Sequence, residues 1–144
     1  MKKVTDILIR KGTTVVSVTP TTTVLEALGM MAGHNIGSVV IKDGESFLGI
    51  MTERDYSRKV ILKGKSSTDT PVADIMSTDF PNVHPTDSIE HCMQLMSEHN
   101  IRYLPVFEGE KMKGILSIND VVKETIIAQE ETISNLKDYL HANL

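Results

Sequence analysis

One cysteine in 144 residues, Cys92, has no internal disulfide partner, which agrees with a reducing compartment. Long apolar runs are also missing. No stretch approaches the roughly eighteen residues that cross a bilayer, and Met1-Lys2-Lys3 leads into Val4-Thr5-Asp6 without the apolar region or cleavage site of a signal peptide. A cytoplasmic location with no membrane contact is therefore expected. Positive charge is not in excess either: 15 Lys and Arg against 19 Asp and Glu leave a net charge of -4, which argues against general binding to nucleic acid or anionic lipid. The chain contains no Walker loop, G-x-S-x-G, H-E-x-x-H or CxxC, so an enzymatic reading has no nucleophile or base to assign and no catalytic residue is nominated. What remains is an ordinary globular composition, 40% hydrophobic and 24% charged, from which a packed core is expected. A unit of about sixty residues is only marginally stable alone, so any two halves of this chain are expected to stand together.

The chain is an internal duplication. A shift of 65 residues lays 18–55 on 83–120 without a gap and matches twelve positions identically. These include Pro20 with Pro85, Met31 with Met96, His34-Asn35-Ile36 with His99-Asn100-Ile101, Gly49-Ile50 with Gly114-Ile115, and Asp55 with Asp120. Thr52 is matched by Ser117. A shorter lead-in also recurs, Val4 to Leu8 against Val72 to Met76, at a slightly different shift. Boundaries of 1–65 for the first repeat, 66–125 for the second and 126–144 for a C-terminal helix follow.

Each repeat reads as strand, helix, strand, strand, helix. Val15 to Val18 is β-branched and stops at Pro20, which has no N–H for a sheet ladder. Val24, Leu25, Leu28 and Met31 recur at helical spacing, with Thr22 or Thr23 as cap and Asn35 suited to a left-handed stop. Ser38 to Ile41 and Phe47 to Met51 flank the turn signal Asp43-Gly44, and Thr52 opens a second helix. The second repeat follows suit with Ile89, Met93 and Met96 on its helix, strands at Leu104 to Phe107 and Met112 to Leu116, a turn at Glu108-Gly109 and a helix from about Ile118. Methionine and valine stripes on these helices read as core. Lys63 to Pro71, polar and rich in turn formers, reads as the linker between repeats and the cap of a shared surface.

The candidate chemistry lies where a strand becomes a helix, at Gly49-Ile-Met-Thr52-Glu-Arg54-Asp55 and Gly114-Ile-Leu-Ser117-Ile-Asn119-Asp120. A helix start offers unpaired N–H donors and a positive dipole end to an anion, and a carboxylate accepts from a vicinal diol. Thr52-x-x-Asp55 and Ser117-x-x-Asp120 are equally capping-box patterns, which stabilise their own helices without any ligand. Arg54, Arg58, Lys59, Lys63 and Lys65 concentrate positive charge by the first motif, with residues 54 and 58 four apart on one helical face. The bland reading of that face is solvation.

The duplicated glycine, hydroxyl and carboxylate pattern resembles the CBS family. The run from Thr52 to Ser67, with Ile101-Arg102-Tyr103-Leu104-Pro105-Val106, is similar to a subgroup of small stand-alone CBS-pair proteins, over nearly the whole chain. The resemblance implies an α+β fold of two CBS repeats, each β-α-β-β-α, about a pseudo-twofold axis with two clefts at their seam, plus an extended C-terminal helix. It further implies an adenosyl ligand, AMP, ATP, NAD or S-adenosylmethionine, held as a regulatory ligand and not as a required cofactor. Thr52 and Ser117 would face its phosphate, and Asp55 and Asp120 its ribose hydroxyls. Arg102 would lie near the phosphate and Tyr103 to Pro105 beside the base, with Gly37-Ser38-Val39 as the counterpart in the first repeat. Thr14 and Val15 would give main-chain hydrogen bonds to adenine. Arg54 against Asn119, and Gly37 against Arg102, imply unequal sites.

Three further features complete the reading. His34 and His99 each end a helix and complement its negative end, so no metal site is expected. Cys92 takes the place of Ala27 and reads as an inert buried thiol. Val122, Ile126, Gln129, Ile133, Leu136 and Leu140 alternate spacings of four and three, a heptad seam for a homodimer unless the helix packs back on its own module. The expected function is a non-catalytic sensor that reports an adenosyl nucleotide to a regulated partner protein. The alternatives are a structural dimerisation module with vestigial clefts and a small nucleotide hydrolase.

Overall fold

The computed structural model describes residues 1–142. Packing divides the chain into two compact units, one of Thr14–Phe80 and one of Met1–Thr13 with the chain from Pro81 onward. This partition differs from the repeat boundaries. The lead-in Val4 to Leu8 packs with the second repeat, and residues 66–80 pack with the first, because each lead-in supplies apolar side chains to the core it joins.

In the Thr14–Phe80 unit, β1 (Ser17–Val18) runs parallel to β2 (Ser38–Asp43), which pairs antiparallel with β3 (Ser46–Thr52). The first strand is shorter than the β-branched run suggests: Val15 and Val16 lie outside it, although the Val40 N–H still reaches the Val16 carbonyl at 3.1 Å. α2 (Val24–His34) starts at Thr23, whose hydroxyl accepts from the Glu26 N–H, and stops at Asn35 with φ 53°. Val24, Ala27 and Met31 form its buried stripe. Leu25 is half exposed, so the buried face is turned by about one residue from the spacing read above. Burying Val24 and Met31 contributes roughly 1.5–3 kcal/mol each.

The segment from Lys63 to Pro71 has a specific task within this unit. The Thr70 and Ser67 carbonyls accept from the Val24 and Leu25 N–H groups, two of the donors that a helix start leaves unpaired. A 3-10 turn, Val72–Asp74, then buries Val72 and Ile75.

In the other unit, α1 (Val4–Lys11) buries Val4, Ile7 and Leu8. α4 (Ile89–His99) is capped by Ser88 and stops at Asn100 with φ 52°, matching α2 at both ends. Ile89, Cys92 and Met96 are buried, but Met93, expected in the core, is 42% exposed. β4 (Tyr103–Glu108) and β5 (Lys111–Ser117) form an antiparallel pair, and the equivalent of β1 is reduced to one parallel bridge between Val83 and Val106. α5 (Ile118–Ala142) leaves β5 directly. Among the described residues no helix is long and apolar enough to cross a membrane.

Candidate functional site

In the Thr14–Phe80 unit, β3 ends at Thr52 and α3 (Glu53–Tyr56) begins. The capping box is fully formed: the Thr52 N–H donates to Asp55 Oδ2 at 3.0 Å, and the Asp55 N–H donates to Thr52 Oγ1 at 3.1 Å. The other oxygen of Asp55 is also taken. Ser77 Oγ donates to Oδ1 at 2.7 Å, and the Lys59 ammonium lies 3.0 Å from the same atom. Lys59, in the turn that follows α3, also donates to the Ile75 carbonyl at 3.0 Å and to Ser77 Oγ at 3.3 Å, so it ties that turn to the lead-in. Asp55 is 5% exposed.

Of the remaining nominated residues of this unit, Gly37 and Ser38 adjoin that turn. Gly37 is bonded through its carbonyl to the Glu53 N–H, and the buried Ser38 pairs in register with Thr52. Thr14 is exposed and Val15 half-buried, ahead of β1. After Tyr56 the chain winds as a π-helical turn, Ser57–Ile61, with Leu62 N–H reaching back five residues to Ser57. Arg54 is half-buried and Arg58 exposed.

The second motif shares the backbone plan and differs in its side chains. The Ser117 N–H donates to Asp120 Oδ2 at 2.8 Å and the Asp120 N–H to Ser117 Oγ at 3.2 Å. The Ile118 N–H donates to the Arg102 carbonyl, as Glu53 does to Gly37. Lys11, from α1, places its ammonium 2.7 Å from Asp120 Oδ2 and 2.9 Å from the Ile115 carbonyl. Among the described residues Asp120 Oδ1 accepts no hydrogen bond, and the side chain keeps 17% of its surface open. Tyr103 pairs with Ser117 and is half-buried, Pro105 is buried, and Arg102 and Asn119 are exposed. A cavity of about 220 Å³ adjoins Asp120, bounded by Ile7, Arg10, Lys11, Lys123 and Glu124. Glu124 is 1% exposed and is held by Arg10, with Nε 3.2 Å from Oε2 and Nη2 3.2 Å from Oε1.

Sequence reasoning missed Lys11, Arg10, Glu124 and Ser77. The recurring lead-in was the available signal, since Ser77 directly follows one copy, and Arg10 and Lys11 follow the other by two and three residues. The duplicated glycines mark where the lead-ins cross: a Cβ on Gly49 would stand 2.8 Å from the Ser77 carbonyl, and one on Gly114 the same distance from Leu8 Cδ2. Elsewhere, His34 and His99 close α2 and α4. Burial, followed by the Asp87 charge, pushes the Cys92 thiol up to about 12, so it stays protonated. Among the described residues no three His, Cys, Asp or Glu side chains cluster as metal ligands.

The CBS domain model matches residues 4–61 and 72–126. The chain is 41% identical over 123 residues to a mitochondrial CBS domain-containing protein of Arabidopsis thaliana, covering 82% of this chain and 60% of that one. It is 31% identical to a CBS domain-containing protein of Bacillus subtilis, covering 92% and 93%. Among solved structures, a CBS-domain protein of Agrobacterium tumefaciens superposes with TM-score 0.82 at 36% identity over 86% of this chain and 99% of that one. A Pyrobaculum aerophilum CBS domain protein complexed with AMP shares the fold, with TM-score 0.72 at 24% identity over 82% and 88%. With two matched domains covering most of its length and these relatives, the chain belongs to the CBS-domain family and carries two CBS domains in tandem.

Proposed function

We propose that this chain is a non-catalytic regulatory module that binds an adenosyl nucleotide at its second motif and works as a homodimer. The observation that carries the reading is the contrast between the two aspartates. Asp55 has both oxygens committed to its own unit, whereas Asp120 keeps Oδ1 open beside a cavity edged by Arg10, Lys11 and Lys123. An open carboxylate oxygen suits a ribose diol, and neighbouring cations suit a phosphate. AMP bound to the Pyrobaculum protein, which shares the fold, supports the ligand class.

In this reading the Ser117 hydroxyl and the Asn119 N–H meet the anion, the Arg102 and Asn119 side chains flank it, and Tyr103 and Pro105 border the base. The first motif, with Thr52, Arg54, Arg58 and Lys59, serves mainly to close its own unit. Ligand that favours one arrangement of the module shifts its population, and a regulated protein reads that shift.

Calorimetric titration of nucleotide-stripped protein with AMP, ATP, NAD and S-adenosylmethionine tests this. Saturable binding by at least one of them is expected, with affinity lowered at least tenfold in Asp120→Ala and retained in folded Asp55→Ala. Binding lost only in Asp55→Ala would move the site to the first motif. No binding by any of the four would favour the structural dimerisation module.

A further inference from the structure

The last stretch of α5 presents an apolar seam to solvent. Val122, Ile126, Ile133, Leu136 and Leu140 are between 43% and 62% exposed, and Gln129 is exposed in the same line. Over 19 residues this seam is about 28 Å long at ~1.5 Å per residue. A groove of about 580 Å³, bounded by Ile89, Thr125, Gln129, Thr132 and Ile133, opens beside it. An apolar stripe of this length at heptad spacing fits a second helix with the same period.

We infer that two copies of this chain join through α5 as a parallel, in-register, two-stranded coiled coil. This deepens the homodimer reading above and is independent of the nucleotide. Three features of the helix select the orientation. In heptad terms Ile126, Ile133 and Leu140 are a residues, and Val122, Gln129 and Leu136 are d residues. β-Branched residues at a with leucine at d favour two parallel strands, a pattern met here by Ile126, Ile133 and Leu136.

Gln129 gives the second selection. In the parallel register its amide faces the same amide of the other copy, where each can donate and accept. In the fully overlapped antiparallel register it faces Ile133 and is buried without a partner, which is unfavourable. Flanking charge gives the third. The e positions are Lys123, Glu130 and Lys137, and the g positions are Thr125, Thr132 and Tyr139. A parallel pair sets Glu130 beside Thr125 and Lys137 beside Thr132, with no like charges opposed. The antiparallel pair sets Lys123 against Lys137 and Glu130 against Glu130. Sliding that pair by one heptad in either direction matches Lys with Glu but leaves only four of the six layers.

Sedimentation and disulfide trapping of the full chain test the assignment. The wild-type protein should sediment as a dimer at micromolar concentration, and Ile133→Glu should convert it to monomer. Oxidised Leu136→Cys protein should form covalent dimers with itself, while wild-type protein, whose Cys92 is buried, should not. A mixture of Ile126→Cys and Leu136→Cys chains reads the opposite orientation, because those positions face each other only in the antiparallel pair. Dominant 126–136 cross-links in a protein that remains dimeric would overturn the parallel assignment alone. Wild-type monomer at micromolar concentration would overturn the assignment and the homodimer reading together.

Discussion

Asp55 and Asp120 occupy equivalent places, yet their removal should cost very different amounts of stability. Asp55→Ala strips the reciprocal cap of α3, a loss of about 1 kcal/mol. It also leaves the Ser77 hydroxyl, in a part-buried contact, without its acceptor, adding ~1–3 kcal/mol. The Lys59 side chain is 43% exposed, so its ion pair adds little once solvent screening is allowed for. The total is about 3 kcal/mol. Asp120→Ala loses a similar cap but only a solvent-screened contact with Lys11, so the cost is about 1 kcal/mol. For a chain of this size a difference of about 2 kcal/mol corresponds to a gap of roughly 4–8 °C in Tm. Thermal melts followed by circular dichroism, with the apo protein in each case, measure it. Equal losses, or a larger loss in Asp120→Ala, would refute the claim that the first carboxylate is committed to structure.

Two further outcomes follow from the lead-ins and the core thiol. Gly49→Ala should destabilise by about 1–3 kcal/mol in denaturant unfolding, because the backbone carbonyl of Ser77 blocks its Cβ, whereas Gly114→Ala should cost less, since the Leu8 side chain can turn aside. Equal midpoints for the two would contradict this. Cys92 should resist a thiol reagent at pH 8 in the folded protein and react fully once unfolded. Its native thiol holds its proton more tightly than the unfolded thiol, raised from 9.0 to about 12, so its contribution to stability is intact below about 9 and is lost as pH rises toward 12. Cys92→Ala should remove that component of the alkaline decline, which paired unfolding curves between pH 8 and 11 would show.

The duplicated parts of the fold were the legible ones. Thr23, Asn35, Ser88 and Asn100 mark the ends of α2 and α4 by side-chain chemistry alone, and the hairpins turn at Gly44 and Gly109 as their sequences suggest. Local signals carried less where packing decides. The Val15 to Val18 run has full strand propensity but contributes two strand residues, and the equivalent stretch at Val83 makes a single bridge. The exposure of Leu25 and Met93 shows that a stripe read from spacing fixes a face only to within about one residue. The π-helical turn after Tyr56 has no residue signature.

The charges around the two motifs explain why one backbone plan gives two unequal sites. Position 59 is lysine in the first repeat, and its equivalent, 124, is glutamate in the second. In the first copy the helix supplies its own counter-ion to Asp55, and the lead-in has only to offer the neutral Ser77. In the second, the helix brings a second carboxylate one turn beyond Asp120, so the lead-in must supply cations for both. α1 does so with Arg10 to Glu124 and Lys11 to Asp120. Lys59 and the Ser77 hydroxyl together take Oδ1 and shut the first carboxylate away. Counter-ions that arrive on long side chains from a separate helix leave a cavity between them and one carboxylate oxygen open. Exchange of a single charge at one helical position therefore accompanies a first carboxylate with both oxygens taken and a second with one oxygen open.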